Sequence, residues 1–121
     1  VVCHGEIFGK PADEKDAARM LESLSGREHL VITGIALAGA GSGIVKTEHE
    51  TTKVKFFPIT PEDIKAYIKT GEPFGKAGAY AVQGRGALFV EGIDGCYSNV
   101  VGLPLFRLGR MLREFGVNVM G

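Results

Sequence analysis

With 121 residues, 45% of them hydrophobic and 23% charged, the sequence has the composition of one globular domain. Its 14 basic and 14 acidic side chains balance, which argues against a nucleic-acid partner. No apolar run approaches the roughly 20 residues that a membrane helix needs, and no signal peptide is apparent, so no membrane partner is expected. Cys3 and Cys96 are too few for a disulfide framework, and we expect reduced thiols in a cytoplasmic protein.

The first predicted elements are a β-hairpin and a helix. His4 and Gly5 lie between two short apolar runs, a pattern typical of a hairpin turn. Asp13 can cap the helix that follows, with Asp16 three residues later in the position of a capping box, and Gly26 ends it. The apolar stripe of this helix consists of Ala17, Met20, Leu21 and Leu24.

Two long strands follow in the prediction. Residues 29–38 are apolar and rich in β-branched side chains, which predicts a buried strand. Residues 44–57 form a second extended run, in which Val54 and Phe56 alternate with lysines, and this alternation indicates one wet face. The segment GAGSG between them contains a Gly-x-Gly pattern found in phosphate-binding loops, but no helix follows it, so we interpret it as a hairpin connection.

The second half of the chain predicts two helices and further strands. The segment TPED (60–63) combines a cap, a first-turn proline and early acids, and so begins a helix that Gly71 ends. Residues 87–93 predict a strand, a last helix begins near Pro104, and residues 117–119 add a short strand. The two apolar stripes are Ile64, Tyr67 and Ile68, then Leu105, Leu108, Leu112 and Phe115. This order of elements predicts an α/β fold over residues 1–121.

The glycine-rich segment GEPFGKAGAYAVQG (71–84), with Gly86 beyond it, is the strongest candidate site. Glycine lets backbone N–H groups approach an anion without a Cβ in the way. Lys76 can neutralise charge, and Gln83 offers both a donor and an acceptor, which suits reading the polar edge of a base. The alternative, equally compatible with the sequence, is a compact loop packed against the sheet. That loop would bury Ala77, Ala79 and Tyr80.

Other patterns give weaker signals. Lys10 stands between Gly9 and Pro11, which fixes its direction and would let its ammonium meet a phosphate. On composition alone, a solvated surface lysine is the favoured interpretation. The three histidines and two cysteines share no ligand spacing, so no zinc site is predicted, and no Gly-x-Ser-x-Gly motif points to a serine hydrolase.

Three segments that cover nearly the whole chain carry a family resemblance: GEIFGKPADEKDAARMLESLSGREHLVITGIAL, ETTKVKF and GEPFGKAGAYAVQGRGALFVEGIDGCYSNVVGLPL. They resemble the Maf family of nucleoside triphosphate pyrophosphatases. The resemblance implies a fold shared with the inosine triphosphatases, an elongated mixed β-sheet with helices around a central cleft. It also implies hydrolysis of a nucleoside triphosphate to the monophosphate and pyrophosphate, with Mg²⁺ or Mn²⁺ as a divalent cofactor.

The motif AGAY-x-x-QG is similar to the branch of the family acting on dTTP and UTP, and less so to the branch that prefers 7-methyl-GTP. The resemblance places the base-selecting glutamine at Gln83 and a phosphate-binding, catalytic lysine at Lys10. Lys76, Gly78 and Gly84 complete the expected substrate-binding set. The metal ligands are left unassigned.

Departures from the family pattern affect the expected chemistry. The family generally begins upstream with a Ser-x-Arg-Arg loop and a strand ending in Gly-Ala-Asp-Thr, whose aspartate is the expected general base. We therefore expect this chain to lack that segment and to have little activity alone. Gly75 and Cys96 stand where the family usually has aspartates. A carboxylate contact to metal or water is in doubt at the first, whereas the second change can be structural alone.

Two further expectations follow from the same pattern. Glu48, Glu50 and Glu72 are available acids, but their spacing favours none of them as the general base. A sheet that lacks a strand exposes an edge, so self-association, as in a homodimer, or reduced stability is expected. The rival interpretation of the chain is a non-catalytic nucleotide-binding or regulatory module.

Overall fold

The computed structural model describes residues 1–39, 41, 43, 45–117 and 119–120. Five strands form one sheet in the order β2-β1-β3-β4-β5. They are β1 (Val2–Cys3), β2 (Glu6–Ile7), β3 (Glu28–Ala38), β4 (Val45–Phe56) and β5 (Val90–Asp94). The helices are α1 (Glu14–Leu24), α2 (Pro61–Lys69), α3 (Tyr97–Val101) and α4 (Leu105–Glu114), with short 3₁₀ turns at Ala77–Ala79 and Arg85–Phe89. The α/β class is confirmed.

Every strand pair among the described residues is antiparallel. The expectation of a mixed sheet is therefore not met in this part of the chain. Because β1 and β2 are two residues long and β1 meets β3 only at Val2↔Leu30, most of the sheet is the long β3–β4 pair. Two-stranded ribbons need covering elements for stability, and the helices supply them on one face.

The first hairpin and α1 form as the sequence predicts. His4 and Gly5 turn the chain with positive φ values of 49° and 77°. The Asp13 carboxylate accepts a hydrogen bond from the Asp16 N–H at 2.7 Å, which caps α1 at its start. The Asp16 carboxylate in turn accepts from the Ala12 N–H at 2.8 Å. All four residues of the predicted stripe of α1 are buried.

The long pair β3–β4 is an antiparallel hairpin with Ala38 opposite Val45. Residues 40, 42 and 44 of its connection lie outside the described residues. The strand predicted at residues 29–38 is confirmed, but the prediction that it is buried is wrong, because exposed residues alternate with partly buried ones along β3 and Ile32 is 45% exposed. On β4, Val54 and Phe56 are buried while Lys53 and Lys55 are exposed, which confirms the predicted wet face.

Helix α2 also confirms its prediction. The Thr60 hydroxyl accepts from the Asp63 N–H at 3.1 Å, and Pro61 occupies the first turn. Ile64, Tyr67 and Ile68 join the α1 stripe, Phe8, Val54 and Phe56 in one hydrophobic core. Gly71, at φ +78°, ends the helix as glycine does most readily.

The last third of the chain departs most from prediction. The strand expected at residues 87–93 begins only at Val90, since Arg85–Phe89 form a 3₁₀ turn, and α3 was not predicted at all. On α4 the fully buried residue is Met111, whereas Leu105 of the predicted stripe is 60% exposed. Val117 and Val119 are not in a strand, and residue 118 lies outside the described residues. No described helix is long and apolar enough to cross a bilayer.

Candidate functional site

A cleft of about 380 Å³ brings the glycine-rich segment to the edge of the sheet. One side is residues 31–33 of β3, another is residues 75–77 and 80–83, and the third is residues 99–102 at the end of α3. The volume of the cleft lies at the lower end of the range typical of small-molecule binding clefts. The polar side chains among the residues that line the cleft are Thr33, Lys76, Tyr80, Gln83 and Asn99.

The predicted site residues divide into two groups. Lys76 and Gln83 line the cleft, and both are exposed. Lys10, Gly78 and Gly84 are not among its lining residues. The Gly9 carbonyl nevertheless accepts a hydrogen bond from the Gly78 N–H at 3.1 Å, so the Lys10 segment is joined to the glycine-rich segment.

The glycines of this segment make room for the protein's own atoms. A Cβ on Gly78, which has φ +76°, would come within 3.0 Å of the Val1 side chain. A Cβ on Gly84 would lie 1.9 Å from the Glu72 carboxylate, and one on Gly86 would lie 2.6 Å from the Ala81 carbonyl oxygen. Close internal packing explains these glycines, as the compact-loop alternative proposed.

That alternative is confirmed for part of the segment. Ala79 and Tyr80 are buried, at 0% and 6% exposure, but Ala77 is exposed, contrary to the prediction. The compact-loop interpretation is thus met at two of its three residues, and the ligand-binding interpretation stays a prediction. The segment packs tightly through Ala79 and Tyr80, and it presents Lys76 and Gln83 to an open cleft.

Glu72 organises the end of this segment. Its carboxylate accepts hydrogen bonds from the Arg85 N–H and the Gly86 N–H, each at 3.0 Å, and from the Tyr67 hydroxyl. Burial raises the pKa of Glu72, but the hydrogen bonds from Tyr67 and from the two backbone N–H groups outweigh it, so the pKa lies below its usual value. Glu72 is therefore a structural anion, and sequence spacing gave no sign of this role.

Behind the cleft, three aromatic side chains form a buried cluster. His29 Nε2 hydrogen-bonds the Tyr80 hydroxyl at 2.7 Å, and the Phe56 ring packs edge-on against both, at centroid distances of 5.1 and 4.8 Å. Burial lowers the pKa of His29 from 6.5 to about 4, so the imidazole is neutral at physiological pH. Tyr80 also lines the cleft, so this cluster fixes one of its walls.

Asn99 fixes the opposite wall. Its fully buried amide donates to the carbonyl oxygens of Val31 and Glu50, at 2.9 and 3.2 Å, and to the Thr52 hydroxyl at 3.0 Å. Its Oδ1 is buried without a hydrogen-bond partner among the described residues. Asn99 thereby ties α3 to both long strands. The sequence did not indicate this role for Asn99, because the segment NVVGLPL that it begins is otherwise apolar.

The side chains of the cleft can bind and orient an anion or a base. None of the residues that line it is Asp, Glu or His, and no group of three or more metal-binding side chains occurs among the described residues. Glu48 and Glu50, considered earlier as acids, pair instead with Arg107. Among the described residues, the polar side chains of the cleft lining are therefore one lysine, one free amide, one bonded amide and hydroxyl groups, which suit recognition more than proton transfer.

Comparison with known proteins gives a consistent family. The model of the family described as Maf, Maf-like protein, matches residues 1–115. A dTTP/UTP pyrophosphatase of Ruminiclostridium cellulolyticum is 58% identical over 120 residues, covering 99% of this chain and 62% of that protein. A protein of the same name from Pelotomaculum thermopropionicum is 53% identical over 120 residues, with 99% and 63% covered.

A third relative, the dTTP/UTP pyrophosphatase of Moorella thermoacetica, is 54% identical over 121 residues and covers the whole of this chain. The shared region is 62% of that protein. The chain thus spans about three fifths of the length of the curated relatives it matches.

Proposed function

Since this chain belongs to the Maf family, we propose that it binds dTTP or UTP and forms part of a nucleoside triphosphate pyrophosphatase. The products would be the nucleoside monophosphate and pyrophosphate. The observation that carries the proposal is one cleft that holds both Lys76 and Gln83, in a chain 58% identical to a protein named for that activity. The inosine triphosphatase-like arrangement of the sheet and a cytoplasmic location are parts of the same proposal.

The proposed division of work follows from the chemistry of the side chains. Gln83 has no hydrogen-bond partner in the described part of the chain, so its amide is free to pair with the polar edge of a pyrimidine. Lys76 is a point charge that can neutralise phosphate oxygens. Lys10, on the segment joined to Gly78, is the second proposed phosphate-binding lysine and the catalytic one.

The reaction itself is an attack by water on the α-phosphorus. A bond forms between the water oxygen and that phosphorus, the bond to the bridging oxygen breaks, and pyrophosphate leaves with the negative charge. The water loses its proton to a general base. The residues that line the cleft include no carboxylate or imidazole for that step, so the proposal assigns binding and charge neutralisation to them.

A divalent cation, Mg²⁺ or Mn²⁺, is implied by the family. The residues that line the cleft do not fit a protein-held cation of this kind, because they include no carboxylate and Mg²⁺ usually needs one or two. The cation therefore enters the proposal only as the counterion of the substrate's triphosphate.

The alternative function is a nucleotide-binding or regulatory module without catalysis. The absence of carboxylates from the cleft lining, among the described residues, favours it. The two proposals share one binding site and differ only in whether pyrophosphate is released.

Calorimetry and a product assay on the same chain separate these functions. We expect α,β-imido-UTP and α,β-imido-dTTP to bind with Mg²⁺, more tightly than the corresponding analogues of CTP and 7-methyl-GTP. Release of pyrophosphate from UTP or dTTP supports the enzyme, and binding without release supports the module. If none of these analogues binds, both proposed functions are refuted.

Two variants test the assigned residues. Gln83→Ala is expected to remove the preference for UTP over CTP, since it deletes the only free amide of the cleft lining in the described residues. Lys76→Ala is expected to weaken binding of all triphosphates by about tenfold, equivalent to ~1.4 kcal/mol. Lys65→Ala is the matched control, because Lys65 is exposed on α2 and outside the cleft.

A further inference from the structure

The position of Gln83 depends on the turn that carries it, residues 81–86. Its side chain is exposed and makes no hydrogen bond within the described part of the chain, so no hydrogen bond of its own fixes it. What places the amide at the cleft is the backbone on either side. The contacts of that backbone lead to two side chains outside the turn, Glu72 and Tyr67.

Glu72 and Tyr67 together bind three backbone N–H groups of the turn. The carboxylate of Glu72 accepts from Arg85 and Gly86, each at 3.0 Å. The Tyr67 hydroxyl accepts from the Ala81 N–H at 3.1 Å and donates to the Glu72 carboxylate. Because Ala81 and Arg85 lie two residues to either side of Gln83, the turn is held at both ends.

The shape of the turn is fitted to this carboxylate. A Cβ at position 84 would lie 1.9 Å from Oε1 of Glu72, and a Cβ at position 86 would lie 2.8 Å from the Tyr67 hydroxyl oxygen. Gly84 and Gly86 therefore let the backbone close around the two side chains. Tyr67 is 4% exposed and belongs to the hydrophobic core, which gives the arrangement a rigid base.

We infer that Glu72 is a positioning residue for base recognition: with Tyr67, it holds the turn 81–86 so that Gln83 faces the cleft and selects a pyrimidine with an N3–H group, as in uracil and thymine. The selectivity rests on the function proposed above. The holding of the turn does not, because its contacts are internal to the chain.

The recognition chemistry explains why orientation matters here. An amide can present its oxygen to N3–H or its NH₂ group to O4 of uracil, and cytosine reverses both requirements. A turn held at both ends fixes where the Gln83 backbone lies against the cleft, and so which edge of the base its amide can reach. On a loose turn the amide could shift to suit either base. Loss of the Glu72 contacts should therefore reduce discrimination more than it reduces phosphate binding.

The test uses Glu72→Gln, Glu72→Asp and Tyr67→Phe, with Glu91→Gln as the matched control. The first replaces an acceptor by an NH₂ group facing backbone N–H groups at unchanged volume. Glu91 is exposed and pairs with Lys55 on β4, away from the cleft. Two quantities are measured: amide hydrogen exchange at Ala81, Arg85 and Gly86 by NMR, and the ratio of affinities for α,β-imido-UTP and α,β-imido-CTP.

Glu72→Gln keeps one acceptor oxygen, so we expect it to speed exchange of at least one of the Arg85 and Gly86 amides by about tenfold or more and to bring the UTP to CTP ratio close to one. Tyr67→Phe should speed exchange at Ala81, and Glu72→Asp should fall between Glu72→Gln and the parent. Affinity for inorganic triphosphate, which has no base, should stay within about twofold in every variant.

Each other result decides against the inference. Unchanged exchange in Glu72→Gln would show that the carboxylate does not hold the turn. Faster exchange with an unchanged UTP to CTP ratio would show that holding the turn does not determine selectivity. A parent chain that binds neither nucleotide analogue would overturn the proposed function and the selectivity with it, while the exchange data would still report on the turn.

Discussion

The hydroxyl of Tyr80 lies 2.7 Å from Nε2 of His29, and these two side chains are 6% and 2% exposed. One residue comes from the glycine-rich segment and the other from the start of β3. Because Tyr80 also lines the cleft, this buried hydrogen bond connects the cleft to the hydrophobic core. The stability of the site should therefore depend on the protonation state of His29.

The first prediction concerns pH. The pKa of His29 is about 4 in the folded protein, against 6.5 when exposed, because burial disfavours the cation. Between pH 6.5 and 4, the unfolded chain therefore binds a proton at His29 that the folded protein does not bind. The free energy of unfolding should therefore fall by up to roughly 3 kcal/mol as the pH falls from 6.5 to 4. Below pH 4, His29 should cause no further loss.

Urea unfolding at a series of pH values measures this loss. His29→Gln should flatten the pH dependence between 6.5 and 4, since glutamine can still hydrogen-bond Tyr80 but does not titrate. His49→Gln is the control, because His49 is exposed on β4. Equal pH dependence in the parent and His29→Gln would contradict the prediction.

The second prediction concerns glycine. Gly86→Ala should destabilise the fold by about 2–4 kcal/mol, because the new Cβ would lie 2.6 Å from the Ala81 carbonyl oxygen and the backbone cannot yield cheaply. Gly109→Ala should instead stabilise it by about 0.5–1 kcal/mol, since nothing lies within 4 Å and the residue is inside α4. Thermal unfolding of the parent and both variants measures whether each substitution lowers or raises the melting temperature.

The third prediction concerns Asn99. Asn99→Ala should cost about 2–3 kcal/mol, because it removes a donor to part-buried carbonyl oxygens of β3 and β4 and to the buried Thr52 hydroxyl. Asn99→Asp should cost more, since a carboxylate would face oxygen atoms and gain no donor. A denaturant midpoint for Asn99→Asp at or above that of Asn99→Ala would show that the amide does not tie α3 to the sheet.

The fourth prediction concerns association. Among the described residues, residues 32–38 of β3 pair only with β4, so one edge of β3 offers unpaired backbone groups. Such edges favour pairing between chains, and we expect a homodimer. Ala36→Lys on this strand should weaken the dimer. Ala12→Lys should not, because Ala12 is exposed and lies before α1, outside the strand. A chain that sediments as a monomer at its highest soluble concentration would refute this.

Local signals allowed α1 and α2 to be predicted from the sequence. Each begins at a side chain that caps its own backbone three residues later, Asp13 in one case and Thr60 in the other. Their apolar residues recur at helical spacing and are buried as expected. Information of this kind lies within one turn of helix, where sequence reasoning is strongest.

The errors share a physical cause, since they concern what covers each element. The apolar run of β3 predicts burial, yet its outer face carries Gly34, Ala36 and Ala38 toward solvent. On α4 the stripe is real, but the helix packs through Met111 and leaves Leu105 and Phe106 exposed. A sequence shows that a residue is apolar, but which neighbour covers it depends on the assembled fold.

The same limit applies to the candidate site. The sequence singles out Lys76 and Gln83 because their chemistry stands out among glycines; the structure places both at one cleft, and their roles in binding stay predictions. The role of Glu72 was missed because its partners are 13 and 14 residues away. One sequence signal could have indicated this role. Tyr67 and Glu72 lie five residues apart, and Gly84 and Gly86 follow, where a Cβ would collide with these two side chains.

The free amide of Gln83 and the carboxylate-bound turn beneath it are separate parts of the molecule. The amide makes no hydrogen bond within the described residues, while the turn is held by hydrogen bonds to backbone N–H groups that any side chain at position 83 would leave in place. Ligand preference in such a protein can change by single substitution without loss of thermal tolerance. A library varied at that one position should sample new specificities at nearly constant melting temperature.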